Sequence, residues 1–298
     1  MPLVKRKPTP YVAPPLPLKW HGGKAYLADD IVRLMPPRCR TPNNPKPHDT
    51  GWLHYVEPYA GGLAVLLAND PTNISEVVSD THGDLTNFWS VIQHTESFDR
   101  FKRIVDAKPF SEHEYDVAAA LNGSVPHLRN TVDRAASFFV HCRQSLAGRM
   151  NGFASVTRNR TRGGMNEQAS AWLSAVDGLP LVHARMRRVL VLNRPAIDVI
   201  RQQDGPRTLF YLDPPYLHET RATTGEYGEH EMTEADHERL ITTLAGIKGR
   251  FMLSGYRSNM YDEWADALDW KRHEFDRANN AASGETKRRM TECVWTNY

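Results

Sequence analysis

The chain has 298 residues, 40% hydrophobic and 24% charged, which suits one large α/β domain or a core with an insertion and excludes wholesale disorder. A formal net charge of +2 identifies no partner by itself, and no apolar run is long enough to cross a bilayer. Cys39, Cys142 and Cys293 are far apart and odd in number, which gives no disulfide framework and no metal-ligand spacing and fits a reducing cytoplasm.

Residues 1–17 carry Lys5, Arg6 and Lys7 followed by five prolines, so they read as a flexible leader and not as a secretory signal. A helix is expected from about Lys24 through Ile31 and Leu34, ending before Pro36-Pro37. After an exposed Pro- and Asn-rich loop, Trp52 to Val56 reads as a buried strand. Pro58-Tyr59-Ala60-Gly61-Gly62 then makes a tight turn, and a helix opens near Ala64. A second strand, Glu76 to Ser79, ends at Asp80, and Leu85, Phe88, Val91 and Ile92 have helical spacing. Strand, turn, helix, strand, acid, helix is the first half of a nucleotide-binding α/β sheet.

Residues 95–180 change character. Helical periodicity at Phe101, Ile104 and Val117 to Leu121 gives way to a polar, Gly-, Asn- and Arg-rich stretch near 149–168, read as an inserted lobe. Strand signals return at Val189 to Leu192, Thr208 to Leu212, Arg250 to Leu253 and Thr291 to Trp295, with an amphipathic helix over Glu234 to Ile247. The expected organisation is therefore a leader (1–17), a core domain (18–94 and 181–298) and an insertion (95–180).

Phe210-Tyr211-Leu212-Asp213-Pro214-Pro215-Tyr216 is the sharpest signal: an apolar strand ending in a carboxylate, two prolines and an aromatic ring. Open α/β sheets bind ligands at such strand ends. Asp213 and the Pro214 carbonyl are two fixed acceptors, able to take both N–H hydrogens of an aromatic amino group and aim its lone pair. Tyr216 offers a face for stacking an unpaired base. Gly61 and Gly62 let backbone approach a ligand, or merely turn. Asp80, about twenty residues on, either binds ribose hydroxyls or caps a helix.

Taken in order, these motifs resemble the DNA adenine methylase family, the Dam-like group that includes phage-encoded members. Leu18-Lys19-Trp20-His21-Gly22-Gly23-Lys24 resembles its N-terminal segment, and Val56-Glu57-Pro58-Tyr59-Ala60-Gly61-Gly62 its cofactor loop. Asp80 matches the ribose-binding acid and Asp213 to Tyr216 the catalytic loop. The resemblance implies a Rossmann-like methyltransferase sheet with helices on both faces and a mainly helical target-recognition insertion. It also implies S-adenosylmethionine as cofactor, held by Trp20, Lys24, Glu57, Pro58, Tyr59, Gly61, Gly62, Asp80 and Asp213. The indole of Trp20 would pack on the cofactor and the Lys24 ammonium would pair with its carboxylate. Catalysis would fall to Asp213, Pro214, Pro215 and Tyr216, acting on N6 of a flipped adenine. One departure stands at Asn193-Arg194-Pro195-Ala196, where the family often has an acid beside an aromatic framing the cofactor's adenine.

Double-stranded DNA is the expected partner of a monomer or weak dimer. Arg143, Arg149, Arg158, Arg160 and Arg162 form an acid-free run suited to phosphates, and Arg221 lies with His218, Thr220 and Tyr227 in a second polar stretch. Arg185, Arg187, Arg188 and Arg194 make a further basic group, and Lys287, Arg288 and Arg289 another. Tyr256, after the strand ending at Leu253, stands either by the target base or in the core. No metal site is expected. Amino-directed cytosine methylation and an inactive DNA-binding module on the same fold are the alternatives.

Overall fold

The structure is a computed structural model that describes residues 11–39, 50–122, 131–154, 160–217, 231–278 and 289–298. Helix α1 (Ala28–Leu34) precedes strand β1 (His54–Glu57), helix α2 (Ala64–Ala68), strand β2 (Ser75–Ser79) and helix α3 (Gly83–Gln93). Helices α4 (Thr95–Asp106), α5 (Glu112–Asn122) and α6 (Thr131–Gln144) follow, then a two-stranded hairpin, β3 (Thr161–Arg162) and β4 (Met165–Asn166), and the long α7 (Glu167–Met186). The chain returns through β5 (Val189–Leu192), α8 (Ala196–Gln203), β6 (Thr208–Leu212), α9 (Glu234–Ala245), β7 (Arg250–Tyr256) and α10 (Asn259–Ala267). It ends in the antiparallel pair β8 (Lys271–Ala278) and β9 (Arg289–Thr296).

Seven strands form one sheet in the order β5-β2-β1-β6-β7-β9-β8. The first five run parallel, and β9 runs antiparallel to both its neighbours. Period-2 side-chain alternation sends β1 and β6 into both faces. Tyr55, Leu209 and Tyr211 pack among α1–α4, α6 and α7. Val56, Phe210 and Leu212 pack opposite, among α8, α9 and α10. The Rossmann-like sheet with helices on both faces is thus the fold. Its strand order reverses between β1 and β6, and a crevice opens beyond the carboxyl ends of two such strands.

The insertion shares the core instead of standing apart. Phe88 of α3 meets Phe101 of α4 and Phe138 and Phe139 of α6 at ring separations of 5.8, 6.1 and 5.9 Å. Trp172, Leu179 and Val182 of α7 join the same cluster. The boundary expected at residue 180 falls inside α7, because apolar spacing carries that helix unbroken from Asn166, whose side chain caps its N-terminus, to Met186. The leader also needs correcting where it is described. Tyr11 donates to the Leu67 carbonyl at 2.7 Å, and Pro15 lies against Gly178, so residues 11–17 are extended and docked. Prolines prevent helix and strand there, but not packing.

Candidate active site

Glu57, the last residue of β1, is 2% exposed, and the loop after it turns through Gly61 at φ +46° and Leu63 at φ 55°. Trp20 explains the glycines. A Cβ on Gly61 would meet the Trp20 Nε1 at 2.8 Å, and one on Gly62 the Trp20 Cβ at 2.8 Å. The indole packs edge-on to His82, with ring centroids 5.9 Å apart, and Trp89 Nε1 donates to the Gly61 carbonyl at 3.1 Å. Asp80, just past β2, braces the same loop. Its Oδ2 accepts the Gly61 N–H at 3.0 Å and its Oδ1 the His82 N–H at 2.9 Å. Each oxygen keeps a lone pair for a ligand.

On the other side of the reversal, the five buried residues of β6 deliver Asp213 to the crevice. The Lys24 ammonium stands 3.0 Å from Asp213 Oδ1, donates to the Gly22 carbonyl at 2.8 Å, and lies 4.7 Å from the centroid of the Tyr216 ring. Tyr216 donates to Glu292 Oε2 at 2.8 Å and meets Tyr256 edge-on at 4.8 Å. Burial raises the Asp213 carboxyl above the ordinary carboxylate range, with the Lys24 charge pulling it back. For Lys24, burial alone would lower the ammonium, but the charges of Asp213 and Glu292 carry it above its usual value. Glu57 is pushed up to about 8 by burial, against the hydrogen bond it receives from Tyr55 at 2.6 Å.

These groups open onto one cavity of about 1050 Å³. Trp20, Lys24, Glu57, Tyr59, Gly61, Gly62, Asp80, Asp213 and Pro215, all expected from the sequence, lie on its wall. Pro58, Pro214 and Tyr216 are buried behind it. Lys24 stands over the Tyr216 ring, and Glu292 holds its hydroxyl. Lys24 is paired with Asp213 and also lies on the cavity wall.

The wall also contains Pro195 and Ala196, from the stretch that departs from the family pattern, with Asp198 close to them, and residues that the sequence did not single out: His82, Ile197 and Arg201, with Met232, Asp236 and Arg239 beyond. At the Asn193–Ala196 departure the chain is held by its own hydrogen bonds. Asn193 Nδ2 donates to the Asp80 carbonyl at 2.7 Å, Ser79 Oγ donates to the Arg194 carbonyl at 2.9 Å, and the next residues supply an apolar wall ending in a carboxylate. Asp198, close to that departure, stands in the first turn of α8 and also on the cavity wall.

The arginines divide. Arg149 reaches the cavity wall, and Arg160 and Arg162 are exposed at the β3–β4 hairpin. Arg143 instead turns into the fold and donates to the Ala171 carbonyl at 2.8 Å. Arg185 is buried against Glu76 and belongs to no basic surface. Arg158 and Arg221 lie outside the described residues, as do His218, Thr220, Tyr227, Lys287 and Arg288. Tyr256 is partly buried against Tyr216. Among the described residues, no group of three His, Cys, Asp or Glu side chains converges as a metal site, and no helix is long and apolar enough to cross a membrane.

A family model described as D12 class N6 adenine-specific DNA methyltransferase matches residues 20–279, from Trp20 past the end of β8. No curated protein sequence matches the chain.

Proposed function

The chain belongs to the D12 class N6 adenine-specific DNA methyltransferase family, and from that membership we propose that the cavity between β1 and β6 is its active site, with S-adenosylmethionine as the methyl donor. The family's target, adenine N6 in DNA, replaces cytosine methylation and an inactive module as readings of the sequence. The observation that carries the assignment is the Lys24–Asp213 pair at the point where strand order reverses.

The residues present fit this donor. Glu57, Asp80, Asp198, Asp213, Glu231, Asp236 and Glu238 line the cavity with seven carboxyl groups, which suits a sulfonium nucleoside bearing an amino group and ribose hydroxyls. Asp80 would take the ribose with the acceptor capacity left after binding Gly61 and His82. Pro195, Ala196 and Ile197 would lie along the donor's adenine, and Trp20 along the loop that carries its methionyl end. When bound, the donor supplies a methyl carbon made electrophilic by its sulfonium.

The chain's own residues supply the other half of the reaction. Adenine N6 is a weak nucleophile because its lone pair is delocalised into the ring. Asp213 and the Pro214 carbonyl would each accept one of its N–H hydrogens, favouring a more tetrahedral nitrogen. Lys24 favours the ionised form of Asp213 in a place where burial favours the neutral one. Proline on proline leaves the loop little freedom to lose at the moment of reaction. An adenine within duplex DNA must leave the stack to reach this depth. Arg149, Arg160 and Arg162, all exposed, would meet phosphates around it.

Incubation with methyl-labelled S-adenosylmethionine and duplex DNA, followed by digestion to nucleosides, tests the reading. Label is expected in N6-methyladenine, and Asp213→Ala is expected to lose at least about a hundredfold in single-turnover rate while still binding DNA. Label in cytosine, or an Asp213→Ala variant near the wild-type rate, would sink it.

A further inference from the structure

Behind the cavity wall stands a buried carboxylate that the reaction as described does not use. Glu292 lies on β9, opposite Tyr256 in the register with β7, and is 5% exposed. Its two oxygens have different partners. Oε2 accepts the Tyr216 hydroxyl at 2.8 Å, and Oε1 accepts the Tyr26 hydroxyl. Tyr216 closes the loop that begins at Asp213. Tyr26 stands two residues beyond Lys24, whose ammonium contacts both Asp213 and the Tyr216 ring. One carboxylate thus ties together the two chain segments that supply the charge pair.

Packing alone does not call for an acid here. Val294, two residues along the same strand and on the same face, is an ordinary core residue, and burying a carboxylate is costly unless hydrogen bonds and charge offset it. Glu292 has both offsets. Burial and the Glu292 charge raise the Tyr216 and Tyr26 phenols, so both remain donors, and the Lys24 ammonium feels Glu292 as well as Asp213. Glu292 itself does not reach the cavity wall.

We propose that Glu292 is a positioning residue for methyl transfer: by holding Tyr216 and Tyr26 it fixes how Lys24 meets Asp213, and so the direction in which that carboxylate receives the adenine amino group. The inference rests on the active-site reading above and deepens it. A misplacement of about 1 Å among reacting groups is enough to cost about a hundredfold in rate, so a clamp one layer behind the wall has leverage on the chemistry without touching substrate.

The test is single-turnover methylation of duplex DNA by Glu292→Gln, Tyr216→Phe, Tyr26→Phe, the Glu292→Gln/Tyr216→Phe double variant and Asp213→Ala, with Tm and donor KM measured alongside. Glu292→Gln is expected to lower the rate about tenfold or more, with donor KM within about threefold and Tm within a few degrees of wild type. The double variant is expected within about twofold of the slower single variant, because both changes act on one shared bond, Gln by exchanging its charged acceptor for a neutral amide and Phe by removing its donor. Tyr26→Phe changes a half-exposed side chain that the fold tolerates, and is expected to lower the rate severalfold even if Glu292→Gln does not fold. A wild-type rate in Glu292→Gln or Tyr26→Phe, or a double variant slowed by the product of the two single effects, overturns the inference. An inactive Asp213→Ala beside a fully active Glu292→Gln overturns it alone, whereas an active Asp213→Ala overturns the active-site reading and this inference with it.

Discussion

At Asp213 two opposing effects meet: burial raises the carboxyl, and Lys24, 3.0 Å away, lowers it. The carboxylate form is the one that accepts hydrogen bonds, so the rate should fall as pH drops through the Asp213 pKa. Removing the ammonium takes away the lowering effect and moves that acid limb to higher pH. Lys24→Met is therefore expected to slow single turnover at neutral pH by about tenfold or more, and to recover part of the loss as pH rises. A single-turnover pH profile with an unshifted acid limb would show that Lys24 does not serve Asp213. Asp80 gives a different pattern, because it holds Gly61 and His82 and faces the cavity. Asp80→Ala should weaken donor binding by about tenfold or more, read by equilibrium dialysis, with a smaller effect on the rate at saturating donor. An unchanged dissociation constant would leave Asp80 as a loop brace only.

Elements were legible where their signal is local. The strands β5 and β6 and the turn into α2 follow directly from short apolar runs and a Gly-Gly step. β8 did not, because Lys271–Ala278 is an edge strand whose sequence is mostly charged, and charged edges hide the apolar rhythm of a strand. α7 has no counterpart in the sequence reading, because its first turns share the polar composition of the hairpin before it. The Asp213 loop was readable as a contiguous motif, whereas Glu292 was not, since it meets Tyr216 across 76 residues and only the β7–β9 pairing brings them together. The hairpin carries its own prediction. Gly163 and Gly164, at φ +60° and +76°, suit a tight two-residue turn that projects Arg160 and Arg162 into solvent. Replacing either by Gln should weaken DNA binding and reduce the slope of log affinity against log salt by about one. Arg143→Gln should register in Tm instead, because Arg143 joins α6 to α7. A salt slope unaffected by Arg160 and Arg162 would make them ordinary surface charges.

A crevice at the reversal of a parallel sheet places polar groups at the ends of its two central strands, Glu57 among them buried at 2% exposure. Glu57 shows what that arrangement costs the whole fold. Its carboxyl is raised from 4.5 to about 8, burial being the main cause and the neighbouring charges of Glu76 and Asp213 adding to it. Between those two values the folded protein holds a proton that the unfolded chain has released. Stability from this group is therefore fully present below the unfolded value, falls with rising pH at about 1.4 kcal/mol per unit, and is lost above about 8. The slope is opposite in sign to that of a surface carboxylate in an ion pair. Glu57→Gln keeps an acceptor for the Tyr55 hydroxyl but has no proton to lose, so it should be free of this decline. The difference in Tm, variant minus wild type, is expected to grow from pH 5 to pH 8, at about 2 °C for each kcal/mol in a chain of this size. Calorimetry across that range reads it directly, and a flat or reversed difference would mean that Glu57 is already ionised in the folded enzyme.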